Sequence, residues 1–190
     1  MREADLKRVV RTKLEKEHAD DCSTRIVEEM GIWSSTVRID VAVINGELTG
    51  FELKSARDNL NRLPSQESMY SRVFDRMTIV TAENHLSGCL ERIPEWWGVT
   101  IASLKGSEDG EIRLEQYRTG SFNPAIDAVC LSRLLWKQEA RDCLERYNLA
   151  IGYRSKSVGI MQERLANELS LDVLRNEVRS AIKQRNKPSR

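Results

Sequence analysis

The sequence predicts an α/β fold followed by an all-helical C-terminal region. As far as residue 122, β-rich runs alternate with helical patterns, in the order helix, β-hairpin, helix, strand, helix and two strands. After Asn123-Pro124 the apolar spacing is helical only. Alternating elements of this kind form helices packed on a sheet rather than a bundle or a sandwich. We therefore divide the chain into an α/β domain, 1–122, and a basic helical region, 123–190.

The N-terminal part is predicted to hold two helices. Apolar residues recur at helical spacing among charges over 3–16, which is typical of an amphipathic helix. We expect a second helix over 23–30, because a serine or a threonine can cap its start and Gly31 follows its end. Glu28 and Glu29 would then lie in the last turn of that second helix.

A β-hairpin follows the two predicted helices. Residues 37–44 and 48–55 are β-rich, and Asn45-Gly46 lies between them. Asn-Gly readily adopts the positive φ angles of a tight turn, so two such runs around it indicate an antiparallel pair. The remaining predicted elements are helices over 62–74 and 84–93, strands over 77–81, 98–104 and 112–118 with a turn over 106–110, and C-terminal helices over 131–147 and within 158–183.

The composition is that of a soluble globular protein. The chain has 190 residues, of which 40% are apolar and 31% charged, enough for a hydrophobic core the size of one domain. No run approaches the ~20 consecutive apolar residues of a membrane span, and the charged N-terminus is unlike a signal peptide. We expect a cytoplasmic protein without membrane contact. The four cysteines form no C-x-x-C pair, which argues against structural zinc and a disulfide framework.

Charge is distributed unevenly along the chain. The formal net charge is +1, but residues 131–190 carry 13 Lys+Arg and 7 Asp+Glu, which leaves 17 and 22 for residues 1–130. The two segments therefore have net charges of +6 and −5. Carboxylates gather divalent cations and basic side chains neutralise phosphate, so this asymmetry fits a metal site beside a polyanion-binding element. A solvated helical face explains the asymmetry equally well.

Two carboxylates and a lysine interrupt the apolar runs of the predicted hairpin. Asp40 lies in the first strand, and Glu52 and Lys54 share one face of the second strand. If all three point to the same side, two carboxylates and an ammonium group converge, and carboxylate oxygens suit Mg²⁺. From this pattern alone, an ordinary hairpin with a charged solvent face is the better explanation.

The spacing of these residues resembles a known superfamily. A glutamate pair at 28–29, then Asp40, then Glu-Leu-Lys at 52–54, is similar to the helix Glu, strand Asp and E-x-K signature of PD-(D/E)XK nucleases. Residues 66–70 begin with Gln and end with Tyr, similar to the Q-x-x-x-Y element of the RecB-like branch. Region 23–104 resembles a small bacterial group placed in that superfamily. The resemblance implies a restriction-endonuclease-like core, a mixed sheet flanked by helices.

The resemblance assigns the metal site and the catalytic lysine. Asp40 and Glu52 would bind Mg²⁺ or Mn²⁺ together with the backbone carbonyl of Leu53. Lys54 would orient the attacking water or stabilise the phosphate. Glu29 or, failing that, a glutamate one position earlier would add a carboxylate from the predicted second helix.

Residues after the E-x-K strand are predicted to complete the site. Gln66 and Tyr70 share one helix face, which in the superfamily looks onto the active site and the nucleic-acid backbone; ordinary packing on the sheet is the alternative for Tyr70. Arg57 and Arg62 flank the strand and could contact phosphate, although solvated loop arginines are an equal alternative. We therefore predict contacts to nucleic acid from Lys54, Arg57, Arg62 and Tyr70.

Taken together, the residues and the resemblance predict a divalent-metal-dependent nuclease, a hydrolase acting on phosphodiester bonds in DNA in preference to RNA. The alternative is a nuclease-fold module that does not hydrolyse its ligand and binds nucleic acid or a protein partner in a repair or defence complex. A protein-binding scaffold is a third class. A homo-oligomer stays open, as does the role of the C-terminal helices as a lid, a dimerisation element or a DNA-binding element.

Overall fold

The protein has an α/β fold in the ranges that the computed structural model describes, residues 1–33, 37–106 and 110–185. None of the helices in these ranges combines the length and the apolar character that a membrane span requires. The elements in chain order are α1 (Glu3–Glu17), β1 (Arg25–Ile32), β2 (Val37–Ile44), β3 (Leu48–Lys54), α2 (Leu63–Tyr70), β4 (Arg76–Ala82), a 3₁₀ turn (Glu83–His85), α3 (Leu86–Leu90), β5 (Gly98–Lys105), β6 (Glu111–Arg118), α4 (Ala128–Ser132), α5 (Lys137–Arg146), α6 (Val158–Glu168) and α7 (Leu171–Gln184).

The strands form a six-stranded mixed sheet in the order β1-β2-β3-β4-β5-β6. Strands β1, β2 and β3 are antiparallel neighbours, β3, β4 and β5 run parallel, and β6 is antiparallel to β5. The predicted α/β class is confirmed. The predicted hairpin is confirmed too, because β2 and β3 pair from Ile44–Leu48 onward around Asn45-Gly46. The turn predicted over 106–110 lies partly outside the described residues.

The prediction of a helix over 23–30 is wrong, because this segment is strand β1. It pairs with β2 from Arg25 to Ile32. Ile26 packs in the hydrophobic cluster on one face of the sheet and Val27 packs against the cluster on the other face, as the period of two in a strand requires. The signals for a helix here are local capping residues, and pairing along a whole strand outweighs them.

The single helix predicted over 131–147 is divided into α4 and α5. The Glu139 carboxylate accepts a hydrogen bond from the backbone N–H of Trp136 at 2.6 Å and caps the start of α5. The bond satisfies an N–H group at the helix start, which favours a new helix at this position. The two helices predicted within 158–183 are present as α6 and α7.

Helices cover both faces of the sheet. On one face, the buried stripe Leu6, Val10 and Leu14 of α1 packs against apolar residues of β2, β3, β4 and β5. On the other face, α2, α3 and the C-terminal helices share one continuous hydrophobic cluster with the strands. The segments 1–122 and 123–190 therefore contribute to a common core.

A buried carboxylate joins the sheet to the C-terminal helices. Asp75, 1% exposed, precedes β4 and accepts a hydrogen bond from the backbone N–H of Leu48 at 2.7 Å. Its carboxylate oxygens lie 3.1 Å from Arg175 and 3.2 Å from Arg179, both on α7. The backbone carbonyl of Asp75 accepts a hydrogen bond from the N–H of Asn123 at 2.8 Å. One residue thus ties the hairpin, β4 and the last helix together.

Candidate functional site

The candidate site lies where strands β2 and β3 separate. Their ladder of paired residues ends at Val41–Phe51, so Asp40 and Glu52 are the next residues in register. The Asp40 carboxylate accepts the backbone N–H of Leu53 at 2.8 Å. A side chain thus takes the place of a strand partner, and the opening leaves room for two carboxylates on adjacent strands.

Glu52 is held in a buried network of side chains. Its Oε1 accepts hydrogen bonds from Lys54 Nζ at 2.7 Å and Gln66 Nε2 at 2.6 Å, and its Oε2 lies 3.0 Å from the Tyr70 hydroxyl. Lys54 also donates to Gln66 Oε1 at 3.0 Å. Gln66 and Tyr70 reach Glu52 from the same face of α2 because they are one helical turn apart. The structure therefore brings the E-x-K strand and the Q-x-x-x-Y helix together.

Tyr70 does not lie at a surface that nucleic acid can reach. Its side chain is fully buried, and its hydroxyl is 2.6 Å from the carbonyl oxygen of Arg38 and 3.0 Å from Glu52. Burial raises the pKa of Tyr70, so the phenol stays protonated at neutral pH. The predicted contact of Tyr70 with nucleic acid is therefore wrong, and its hydroxyl orients Glu52 instead.

The surroundings of Asp40 and Glu52 do not compensate their negative charges fully. Burial raises the pKa of Asp40 to about 7, and repulsion from Glu52 acts in the same direction. Burial also raises the pKa of Glu52, although Lys54 opposes this effect. Two buried carboxyl groups whose ionised forms are disfavoured make a site that a divalent cation would stabilise.

The raised pKa of Asp40 makes the metal-free protein less stable as the pH rises. The folded protein keeps the Asp40 proton up to a pKa of about 7, against an ordinary value of 3.8. Between these values the folded state binds more protons, so the free energy of unfolding falls by up to about 1.4 kcal/mol per pH unit. The stability that the Asp40 proton contributes is complete below the ordinary pKa of 3.8 and is lost as the pH rises through the folded-state pKa of about 7.

Urea unfolding in EDTA across that pH range measures the effect. Asp40→Asn keeps an oxygen for the Leu53 N–H but has no proton to release, so we expect its stability to depend less on pH than that of the wild type. Parallel stability curves for the two proteins would contradict the raised pKa.

Glu29 lies beside Asp40, but on a strand rather than a helix. The β1–β2 pairs on either side of it place Glu29 opposite Asp40. Its φ of 51° is in the left-handed region, which costs a non-glycine residue about 1–3 kcal/mol and is often found at functional sites. Glu28 pairs with Arg11 of α1 instead. Of the two candidate glutamates, the structure therefore brings Glu29 to the site.

Glu3 is a site residue that the sequence prediction missed. Carboxylate oxygens of Glu3, Glu29 and Asp40 lie within 4.8 Å of one another. Glu3 is in the first turn of α1, three residues before the buried Leu6, and a carboxylate on an apolar helical stripe is the signal that could have found it. Lys7 also reaches this cluster, because it pairs with Glu29 and its Nζ lies 3.8 Å from Asp40 Oδ1.

Glu3, Asp40, Glu52 and Lys54 line a small polar cavity of ≈ 80 Å³. Arg62 is one of the residues that line the cavity. Arg57 is exposed and does not line it. Two carboxylates and a residue whose backbone carbonyl is free of the β2 ladder form an oxygen-rich donor set, which fits Mg²⁺ or Mn²⁺. The lining residues are Glu3, Asp40, Glu52, Leu53, Lys54, Asp58, Asn59 and Arg62.

Comparisons with known proteins link the chain to a phage family. The sequence profile of the family described as "Bacteriophage P4 protein cII" matches residues 1–190. "Protein cII" of Enterobacteria phage P4 is 29% identical over 160 residues, which are 84% of this chain and 59% of that relative. The chain thus spans about three fifths of the length of the curated relative it matches.

Among solved structures, the chain is similar to SfsA of Pyrococcus furiosus in complex with Ca²⁺. The sequence identity is 17% and the TM-score is 0.35, over 61% of this chain and 62% of that chain. A likeness at this level supports no conclusion about fold or function.

Proposed function

The chain belongs to the bacteriophage P4 protein cII family, and we propose that it is a divalent-metal-dependent nuclease with a PD-(D/E)XK site. It would hydrolyse phosphodiester bonds, in DNA in preference to RNA, on a restriction-endonuclease-like core. The observation that carries the proposal is the convergence of Asp40, Glu52 and Lys54 at one polar cavity. The preference for DNA rests on the resemblance of these motifs to that superfamily.

Asp40, Glu52 and the backbone carbonyl of Leu53 would hold Mg²⁺ or Mn²⁺. Their oxygens suit a hard cation. The raised pKa values of both carboxyl groups show that their negative charges are poorly compensated, and a divalent cation would compensate them. A bound divalent ion supplies Lewis-acid stabilisation of phosphate charge and lowers the pKa of water. Glu29 and Glu3 lie close to Asp40 and extend the acidic surface of the site.

Lys54 is placed to act on the nucleophile and on the phosphate. Its ammonium group is fixed by Glu52 Oε1 and Gln66 Oε1, which leaves one of its three hydrogens for a further acceptor. With the attacking water as that acceptor, Lys54 orients the nucleophile; with a phosphate oxygen, it stabilises the charge that develops there. Gln66 and Tyr70 act through Glu52 and are positioning residues.

Nuclease assays on labelled single-stranded and double-stranded DNA and RNA test the proposal. We expect the wild type to cleave with Mg²⁺ or Mn²⁺ and to be inactive in EDTA. Lys54→Ala should lower the rate by roughly 10²–10⁴-fold, because it removes the group that orients the nucleophile. The matched control is Lys156→Ala, an exposed lysine of the C-terminal region, which should cleave like the wild type. A wild type inactive with both cations would contradict the proposal, and undiminished cleavage by Lys54→Ala would contradict the role of Lys54.

The alternative function, a nuclease-fold module without hydrolysis, is favoured by one observation. The Lys7 ammonium already lies among the carboxylates, paired with Glu29 and 3.8 Å from both Glu3 and Asp40. A cation of the chain itself at this position would satisfy the site without a metal. Thermal melting with and without Mn²⁺ separates the two functions, because a metal-binding site raises the Tm by mass action and a decayed site does not.

A further inference from the structure

Strand β1 is at one edge of the sheet, and a groove lies between this strand and the C-terminal helices. Its volume is ≈ 530 Å³, within the range of roughly 300–1,000 Å³ that is usual for ligand sites. We call it the β1 groove. Its charged and aromatic lining residues are Arg25, Glu28, Glu29, Trp33, Arg133, Trp136, Lys137 and Arg185.

Two tryptophans of the β1 groove are held by arginines. The ring of Trp136 is 4.2 Å from the guanidinium carbon of Arg185, and the ring of Trp33 is 5.9 Å from that of Arg133. Trp136 is 61% exposed. An indole fixed in this way presents a rigid, flat apolar face to solvent, on which a nucleic-acid base can stack.

Two positive charges of the β1 groove are available to a ligand. Arg185 is engaged already, because it pairs with Glu139 at 2.7 Å. Arg133 and Lys137 are exposed, and neither forms an ion pair within the part of the chain that the structure describes. Exposed basic side chains without an ion-pair partner bind phosphates with release of counterions.

The β1 groove and the candidate metal site approach each other at Glu29. Glu29 lines the groove, and its carboxylate lies within 4.8 Å of an Asp40 oxygen. A polymer that extends from the groove past Glu29 would therefore approach Asp40. We propose that the β1 groove binds single-stranded nucleic acid, with a base stacked on Trp136 and phosphates at Arg133 and Lys137. The inference rests on the proposed nuclease function, since it names the substrate of the same site.

A single strand fits this groove better than a duplex does. The bases of a duplex are stacked on one another and paired inward, so they cannot cover an indole without being flipped out. Stacking on a protein aromatic ring requires an unpaired base and tolerates any sequence. The groove therefore selects for strandedness rather than for sequence.

Fluorescence anisotropy with a labelled oligothymidylate in EDTA tests the proposal without hydrolysis. We expect Arg133→Ala/Trp136→Ala to bind at least about tenfold more weakly than the wild type, because a stacked base contributes roughly 1–3 kcal/mol. The single variant Trp136→Phe should keep most of the wild-type affinity, since it keeps an aromatic face. The matched control is Arg113→Ala/Tyr117→Ala, which removes one exposed cation and one exposed aromatic from β6 at the other edge of the sheet.

Lys137→Ala gives a second readout that does not depend on the tryptophan. It removes one exposed charge, so the slope of log K against log salt should become shallower by about 0.7. A matched duplex and an oligouridylate complete the set of ligands, and both single strands should bind more tightly than the duplex.

Two results would overturn the inference: unchanged affinity in Arg133→Ala/Trp136→Ala together with an unchanged salt slope in Lys137→Ala, or tighter binding of the duplex than of the single strands. These results are distinguishable from failure of the nuclease proposal. A wild type that binds single strands through the groove in EDTA and never cleaves contradicts hydrolysis alone. A wild type that cleaves while the groove variants bind normally contradicts the groove alone.

Discussion

Replacing Asp40 by asparagine is expected to lower cleavage in Mg²⁺ or Mn²⁺ on the order of 10³-fold, the loss typical of a removed charge-stabilising group. Asparagine has nearly the same size and can still accept the Leu53 N–H with its side-chain oxygen. It lacks the negative charge that binds the cation. The expected loss is therefore one of metal binding and chemistry, with the local fold kept. Rates of cleavage at saturating metal measure the loss of chemistry, and far-UV circular dichroism checks that the fold is kept.

The control for this variant is Asp20→Asn, an exposed aspartate after α1 that lies outside the site. It removes the same charge from the chain and should leave cleavage unchanged. If Asp40→Asn keeps more than about a tenth of the wild-type rate, the charge of Asp40 does not support the reaction in the way proposed here.

Asp75→Ala is expected to have the largest effect on stability, a loss of about 3–5 kcal/mol of unfolding free energy. The substitution removes the acceptor for the buried Leu48 N–H and leaves Arg175 and Arg179 without their shared partner. Arg175 keeps only the exposed Asp172 as an ion-pair partner, and both arginine side chains are only 15% exposed, so their charges lose most of their compensation at a poorly solvated position. Urea unfolding followed by circular dichroism and by tryptophan fluorescence measures the loss.

Asp172→Ala is the matched control, because Asp172 pairs with the same Arg175 on the protein surface, with its own side chain 88% exposed. Its removal should cost less than about 1 kcal/mol. A loss as small for Asp75→Ala would show that the contact between the sheet and α7 contributes little.

Segments 1–122 and 123–190 share a hydrophobic cluster, so circular dichroism and tryptophan fluorescence should report one unfolding transition for the wild type.

The hairpin that carries the candidate site could be predicted because its signals are local. Asn45-Gly46 marks the position of the turn, although neither residue adopts the positive φ expected of a tight turn. The alternation around it sets the faces, so Glu52 and Lys54 fall on one side of β3. Strand β1 could not be predicted from local signals. Its conformation is decided by pairing with β2, while its own residues carry caps that favour a helix.

The part of the site that sequence could not predict comes from contacts between distant segments. Glu3 reaches Asp40 only because α1 packs across the sheet. Trp33 and Trp136 line one groove only because the fold brings residues 133–137 to the same cavity as residues of β1. The resemblance directs Tyr70 to the active site and to the nucleic acid, and its complete burial beside Glu52 is compatible with the first position only.

Calorimetric titration of the metal-free protein with Mn²⁺ tests the metal site most directly. The titration is carried out above pH 7, because Asp40 has a pKa of about 7 and is ionised there. We expect the wild type and Asp20→Asn to bind Mn²⁺ with the same affinity, and Asp40→Asn to lose that binding. A wild type that takes up no Mn²⁺, or an Asp40→Asn variant that binds it as tightly as the wild type, would contradict a divalent cation held by Asp40 and Glu52.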